Sequence, residues 1–281
     1  MRGCVRPSRV IGALAALALT GAAAIAQPPQ RVVSVNLCTD QLALLLAAPG
    51  QLVSVSRLAR DPASSAMSGA AQGLAVNGSG AEEVFLLRPD LVLAGTYTND
   101  ATVKMLRRLG IRVEVFAPAR SLEDIPARMA RMGALLGREG EAERRIAAFR
   151  AALAALDDTP PRRPRAALWY VNSFTLGADS LAGDILHHAG FANVADEAGL
   201  AQGGTLALER LILLAPDVVV RGRDYPGRSR AEDNLAHPAL RALGVPMSAP
   251  LTDRDWICGT PMALDAVARL RELRLSLETG R

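Results

Sequence analysis

The stretch Glu82-Glu-Val-Phe-Leu-Leu-Arg-Pro-Asp-Leu-Val-Leu-Ala-Gly95 returns 127 positions later as Glu209-Arg-Leu-Ile-Leu-Leu-Ala-Pro-Asp-Val-Val-Val-Arg-Gly222. Each copy reads as a short helix, a Pro-Asp turn and a strand. Proline has no amide hydrogen to continue a helix, and the Val/Leu run after Asp suits a strand covered on both faces. Two copies this far apart predict two similarly built lobes.

Working outward, apolar strands alternate with amphipathic segments. Residues 31–35, 52–55, 91–94 and 111–116 read as strands, and residues 39–47 and 101–109 as helices. Asn77-Gly-Ser-Gly80 reads as a loop ahead of the first repeat helix. Strand signals resume at 166–171, 217–221 and 245–248, with helices at 181–188 and 261–277. Continuous apolar strands between helices predict an α/β fold with parallel or mostly parallel sheets.

Between the two series lies a helical region. Ser121 reads as an N-cap with Asp124 three residues on, as in a capping box. Leu122, Ile125, Met129, Met132 and Leu136 follow at helical spacing, and Ile146, Phe149, Leu153 and Leu156 form a second stripe after Gly137 and Gly140. A helix of about 18 residues spans about 27 Å, enough to bridge two lobes. Three prolines between 157 and 164 then exclude helix and central strand. The expected organisation is a leader at 1–26, a first lobe at 31–120, a helical connector at 121–158 and a second lobe at 164–281.

The leader reads as a secretory signal. Arg2, Arg6 and Arg9 precede a small-apolar stretch, and Ala24-Ile25-Ala26 offers a cleavage site. An uncleaved anchor is the competing reading, although the stretch is short and alanine-rich for a span. Cys4 lies before the apolar run, not after it as a lipoprotein needs, so a soluble periplasmic protein is expected. The leader holds three arginines and no acid, so the balance without it falls from 32 against 28 to 29 against 28. The basicity belongs mostly to the leader, and no nucleic-acid footprint is implied. About 255 residues remain, half of the whole chain being apolar, which suffices for one large core or two smaller ones.

No H-E-x-x-H, phosphate-binding loop or G-x-S-x-G motif is present, so an enzyme is not expected. His187 and His188 are adjacent and point about 100° apart on a helix, which ill suits shared metal ligation. Neither an intrinsic cofactor nor a metal site is expected; a bound chelate would bring its own metal.

The order of β-α lobe, long helical connector and second β-α lobe, with E-x-x-x-L-L-x-P-D-x-V in each lobe, resembles the helical-backbone periplasmic binding proteins of cobalamin, iron-siderophore and haem ABC importers. Supporting matches are Leu135-Leu-Gly-Arg-Glu-Gly-Glu-Ala-Glu143 and Gly183-Asp-Ile-Leu-His-His-Ala-Gly190 leading to Asn193-Val194. The resemblance implies two mostly parallel sheets joined by an interlobe helix, with a ligand cleft between the lobes. It implies that Glu82 and Glu209 dock onto a permease dimer at the inner membrane; otherwise they serve only their helix N-termini. Glu83 is an alternative in the first lobe.

In open parallel sheets, ligands sit beyond the carboxyl ends of the strands. On this reading the ligand residues are Cys38, Thr39, Arg57, Tyr97, Asn172, Phe174, Arg223, Tyr225 and Trp256, with Tyr97 and Trp256 foremost because flat aromatic faces suit a bulky chelate. Arg57 and Arg223 could meet ligand carboxylates. Trp169 and Tyr170 alternate along a strand, so one of them faces the core. Cys38 and Cys258, one per lobe near the cleft, admit a disulfide, a thiolate contact to a metal chelate, or buried thiols. The expected function is a monomeric periplasmic receptor that captures cobalamin or a ferric siderophore, ahead of haem, for an ABC permease. The alternative is an exported enzyme or sensor on the same bilobal fold.

Overall fold

The computed structural model describes residues 27–156, 158, 160–221, 230–248 and 253–279. The expected leader, Arg223 and Tyr225 lie outside the described residues. Among those residues no helix is long and apolar enough to cross a membrane.

The first lobe runs β1 (Val32–Ser34), α1 (Leu37–Leu46), β2 (Leu52–Ser56), β3 (Ala75–Asn77), α2 (Ala81–Leu86), β4 (Leu91–Gly95), α3 (Asp100–Arg108) and β5 (Val113–Phe116). Its five strands are all parallel, in the order β3-β2-β1-β4-β5. β1 and β4 are buried throughout because helices cover both faces, which is why their sequences show no polar alternation. β3 was not anticipated: only three residues long, it follows a turn-rich stretch that carries no strand periodicity.

Two helices connect the lobes, α4 (Asp124–Leu136) and α5 (Glu139–Leu156). The Asp124 carboxylate accepts from the Arg120 and Ser121 amides at 2.8 and 3.3 Å, but α4 starts at Asp124 after Glu123, so Ser121 is not its N-cap and the expected capping box does not form. Gly137, at φ 65°, ends α4 in the left-handed conformation. The helices then pack so closely that a side chain at Gly133 would meet the Ala142 methyl.

The second lobe comprises β6 (Arg165–Trp169), β7 (Phe174–Thr175), α6 (Leu181–His188), β8 (Ala192–Asn193), α7 (Val194–Glu197), β9 (Gly204–Thr205), α8 (Leu208–Leu214), β10 (Val218–Arg221), α9 (Pro238–Ala242), β11 (Met247–Ser248), α10 (Asp253–Trp256) and α11 (Ala263–Thr279). Its parallel sheet has the order β11-β10-β6-β8, with β7 and β9 pairing antiparallel beside it. The two repeats take equivalent places: β4 lies between β1 and β5, and β10 between β6 and β11.

The repeated Pro-Asp has a structural job in each lobe. Asp90 accepts from the Gln30 and Arg31 amides at 2.6 and 3.0 Å, and Asp217 accepts from the Arg165 amide at 2.9 Å. Each aspartate thus fastens the entry of its lobe's first strand to the repeat strand beside it. Charge-assisted bonds of this kind are about twice as strong as neutral ones.

The lobes are not separate bodies joined by a tether. One apolar cluster runs from Val32 and Leu42 through Ile125, Met129 and Phe149 to Leu168, Ile185 and Val267. The Leu122 amide donates to Asp184 of α6 at 2.7 Å. A side chain at Gly259 would lie 2.2 Å from the Ala119 methyl, so only glycine fits this approach. Beside it Cys38 and Cys258 form a disulfide, with Cα atoms 5.1 Å apart and 220 positions between them in the chain. A staple closing so long a loop contributes about 5 kcal/mol in chain-entropy models. Replacing both cysteines with serine should lower the calorimetric melting temperature by roughly 10 °C. An unchanged melting temperature would show that the packing at Gly259 alone holds the lobes together.

Candidate functional site

Strand order in the first sheet reverses between β1 and β4, since β2 and β3 lie on one side of β1 and β4 and β5 on the other. Chains leaving β1 and β4 therefore diverge and open a crevice at their carboxyl ends. Asn36, after β1, caps α1 by accepting from the Cys38 amide at 3.0 Å. Gly95, ending β4, passes so near that a Cβ there would lie 2.8 Å from the Asn36 side chain. This glycine is required by the closeness of the two turns.

Beyond them is a hollow of about 330 Å³ bordered by Asn36, Cys38, Leu58, Tyr97, Phe116, Pro118, Arg128 and Ile257. It continues into a second of about 220 Å³ at the ends of β2 and β3, beside Arg57 and Ser79, and into a third of about 370 Å³ along the start of α4, beside Arg120 and Arg128. Shared lining residues make these one groove along the carboxyl edge of the sheet. Its walls are chiefly contact surface: Tyr97 is 86% exposed, and Leu58 and Ile257 stand out of the core beside it.

The expected residues divide on burial. Cys38, Arg57 and Tyr97 border the groove. Asn172 and Phe174 are exposed at the carboxyl end of β6, after a one-turn 3₁₀ segment at Val171–Ser173 in which Asn172 and Ser173 both have positive φ. Two corrections follow. Thr39 is fully buried, its hydroxyl bonded to the Asn36 carbonyl at 2.9 Å and to the Ser34 hydroxyl at 2.8 Å, so it braces the turn and meets no ligand. Trp256, at 7% exposure, sits edge-on to Tyr170 with ring centroids 5.8 Å apart; core packing claims the ring, and its neighbour Ile257 faces outward instead. Of the Trp169–Tyr170 pair, Trp169 is the core residue, donating its indole N–H to the Leu206 carbonyl at 3.0 Å. Because Cys38 is bonded to Cys258, it offers no thiolate to a metal.

Leu58, Phe116, Pro118 and Arg128 were not anticipated, and of the loop around Trp256 it is Ile257 that borders the groove. Phe116 and Pro118 follow directly from the ligand-edge rule applied to β5. Arg128 is on a connector helix and is brought to the groove only by packing of α4 against α1. Among the described residues no group of three or more His, Cys, Asp and Glu side chains could hold a metal ion.

Residues 32–243 match the family described as periplasmic binding protein. The chain belongs to that family. It is 30% identical over 199 residues to a cobalamin-binding protein of Halobacterium salinarum, covering 69% of this chain and 54% of that one. The chain thus spans about half the length of this curated relative. The solved haem-binding protein RhuT of Roseiflexus sp. RS-1 superposes with TM-score 0.68 at 21% identity, over 88% of this chain and 98% of that one. The vitamin B12-binding protein BtuF of Vibrio cholerae does so with TM-score 0.65 at 18% identity, over 89% and 98%. At these identities the structural likenesses show the shared bilobal α/β fold.

In this periplasmic binding protein one buried acid supports the groove wall. Asp40 of α1 is fully buried and accepts from the Ser56 amide at 3.2 Å and from the Ser56 hydroxyl, holding the end of β2 just before Arg57 and Leu58. Burial pushes its carboxyl up to about 6, against the lowering effect of hydrogen bonds from Ser34 and Ser56. Between the ordinary aspartate value near 4 and about 6, the folded protein keeps a proton that the unfolded chain has released. Asp40 therefore costs stability progressively as pH rises through that window. Asp40→Asn should gain on the wild type by on the order of 2–3 kcal/mol between pH 4 and pH 6.5, then run level. Urea midpoints across that range check this; a constant difference would assign the acid no titration there.

Proposed function

We propose that the protein is the receptor of an ABC importer, capturing a metal chelate in the groove and delivering it to a permease dimer. The observation that carries this reading is the groove itself. It lies at the switch point of a sheet in a periplasmic binding protein, and its exposed walls are Tyr97, Leu58 and Ile257. Such residues supply contact area to a bulky ligand rather than acid–base chemistry, which favours a receptor over an exported enzyme. The similarity to the Halobacterium cobalamin-binding protein supports reading cobalamin first, ahead of ferric siderophores and haem. The metal arrives with the ligand, and the protein acts as a periplasmic monomer.

Glu82 and Glu209 support the delivery half of the reading. Both are exposed in the first turn of a short helix, α2 in one lobe and α8 in the other. In each lobe the acid is followed by two exposed apolar residues, Phe85 and Leu86 after Glu82, and Ile212 and Leu213 after Glu209. Leu86 is 71% and Leu213 84% exposed, a repeated surface of one carboxylate beside an apolar pair. Two such patches match a two-fold partner with basic, apolar-rimmed pockets. Glu83 is engaged otherwise, accepting from the Gly78 amide at 2.7 Å, which leaves Glu82 as the docking acid of the first lobe.

Thermal-shift titration of residues 27–281 with cyanocobalamin, ferrichrome and haemin tests the receptor reading. A ligand at 100 times its dissociation constant should stabilise the protein by about 2.7 kcal/mol. Stabilisation by none of the three would remove the reading. Replacing Glu82 and Glu209 together with alanine should abolish uptake in cells while leaving affinity within about two-fold. Loss of affinity instead would place these acids at the ligand.

A further inference from the structure

We infer that Arg128 seats an anionic group of the ligand, a carboxylate or phosphate oxygen, where the groove passes between Phe116 and α4. This rests on the receptor reading above and specifies the ligand class. Arg128 borders both the hollow beside Tyr97 and the adjoining one along α4, so its guanidinium stands where a ligand would cross from one to the other.

Other arginines of the fold have partners, whether buried or exposed. Arg274, almost fully buried, bonds to Asp158, Glu278 and the Ala189 carbonyl. Arg131, one turn beyond Arg128, pairs with Glu114 at 3.1 Å and donates to the Val115 carbonyl at 3.0 Å. Both Arg128 and Arg131 approach the Phe116 ring, at 5.8 and 4.3 Å from its centroid. Yet the buried Nε of Arg128 has no hydrogen-bond partner among the described residues. Burial lowers its affinity for the proton, Asp124 opposes this and Arg131 adds to it. Asp124 attracts Arg128 across space, while the hydrogen bonds of its carboxylate go to the Arg120 and Ser121 amides. Arg120 borders the same hollow, so three arginines line it beside one aspartate.

A cation partly removed from water is a cost that an anion beside it would relieve. The planar guanidinium offers a fork that fits carboxylate or phosphate oxygens in pairs, while Phe116 fixes the plane of the fork. The chelate should therefore carry an anionic group, a phosphodiester as in a complete corrinoid or carboxylates as in a porphyrin.

Matched ligand pairs separate these sources. Tryptophan fluorescence of residues 27–281 is titrated with cyanocobalamin against dicyanocobinamide, which lacks the phosphodiester, and with haemin against its dimethyl ester. In the pair that binds, the member with the anionic group should bind roughly 10- to 100-fold tighter. Arg128→Gln should erase that gap while leaving the member without the anionic group within about two-fold, and Arg128→Lys, which keeps the charge and loses the fork, should fall between. Raising the salt concentration should narrow the gap in the wild type, a readout that needs no variant. Equal binding of both members by the wild type, or a gap that survives Arg128→Gln, overturns this inference and leaves the receptor reading standing. Binding of none of the four overturns both.

Discussion

The seam between the lobes is the constraint on which the other features depend. Residues 257–260 of the second lobe lie on the floor of the first, with Cys258 bonded to Cys38 and Gly259 against the Ala119 methyl. The shared apolar cluster continues that contact through α4, α5 and α11. A bilobal protein built this way resists opening like two plates on flexible strands.

The same economy governs the groove. Asn36 caps a helix, Thr39 braces a turn and Asp40 holds the end of β2, all within one turn of α1. Those buried polar residues face inward and keep the rim in place, while Leu58, Tyr97 and Ile257 face outward. Arg128 combines the two roles: its ring contact with Phe116 belongs to the packing, and the residue also borders the groove.

Much of the architecture was legible because burial on both faces writes itself into sequence as apolar runs. The strands at β1, β2 and β4, the helices α1, α3 and α6, and the two connector helices all carry such signals over several turns or a full strand length. β3, β8 and the β7–β9 pair did not, because these short strands are mostly unburied and so carry no apolar run. The site was half legible. Rules about strand ends point to Tyr97 and Arg57, but they apply equally to Thr39 and Trp256, whose side chains turn inward. Which way a residue near a strand end points depends on neighbours distant in the chain, as with Tyr170 against Trp256.

The sequence by itself determined the two-lobed α/β plan, since a fourteen-residue segment written twice must fold twice in the same way. It also set the paired glutamates at matching helix starts. Only the tertiary structure decided that Cys38 reaches Cys258 across 220 positions, that Trp256 is packing rather than surface, and that a connector arginine enters the groove. Local propensity and periodicity act over a few residues and leave their mark in the chain. Contacts across the seam arise only when both lobes are in place, so no stretch of sequence carries them.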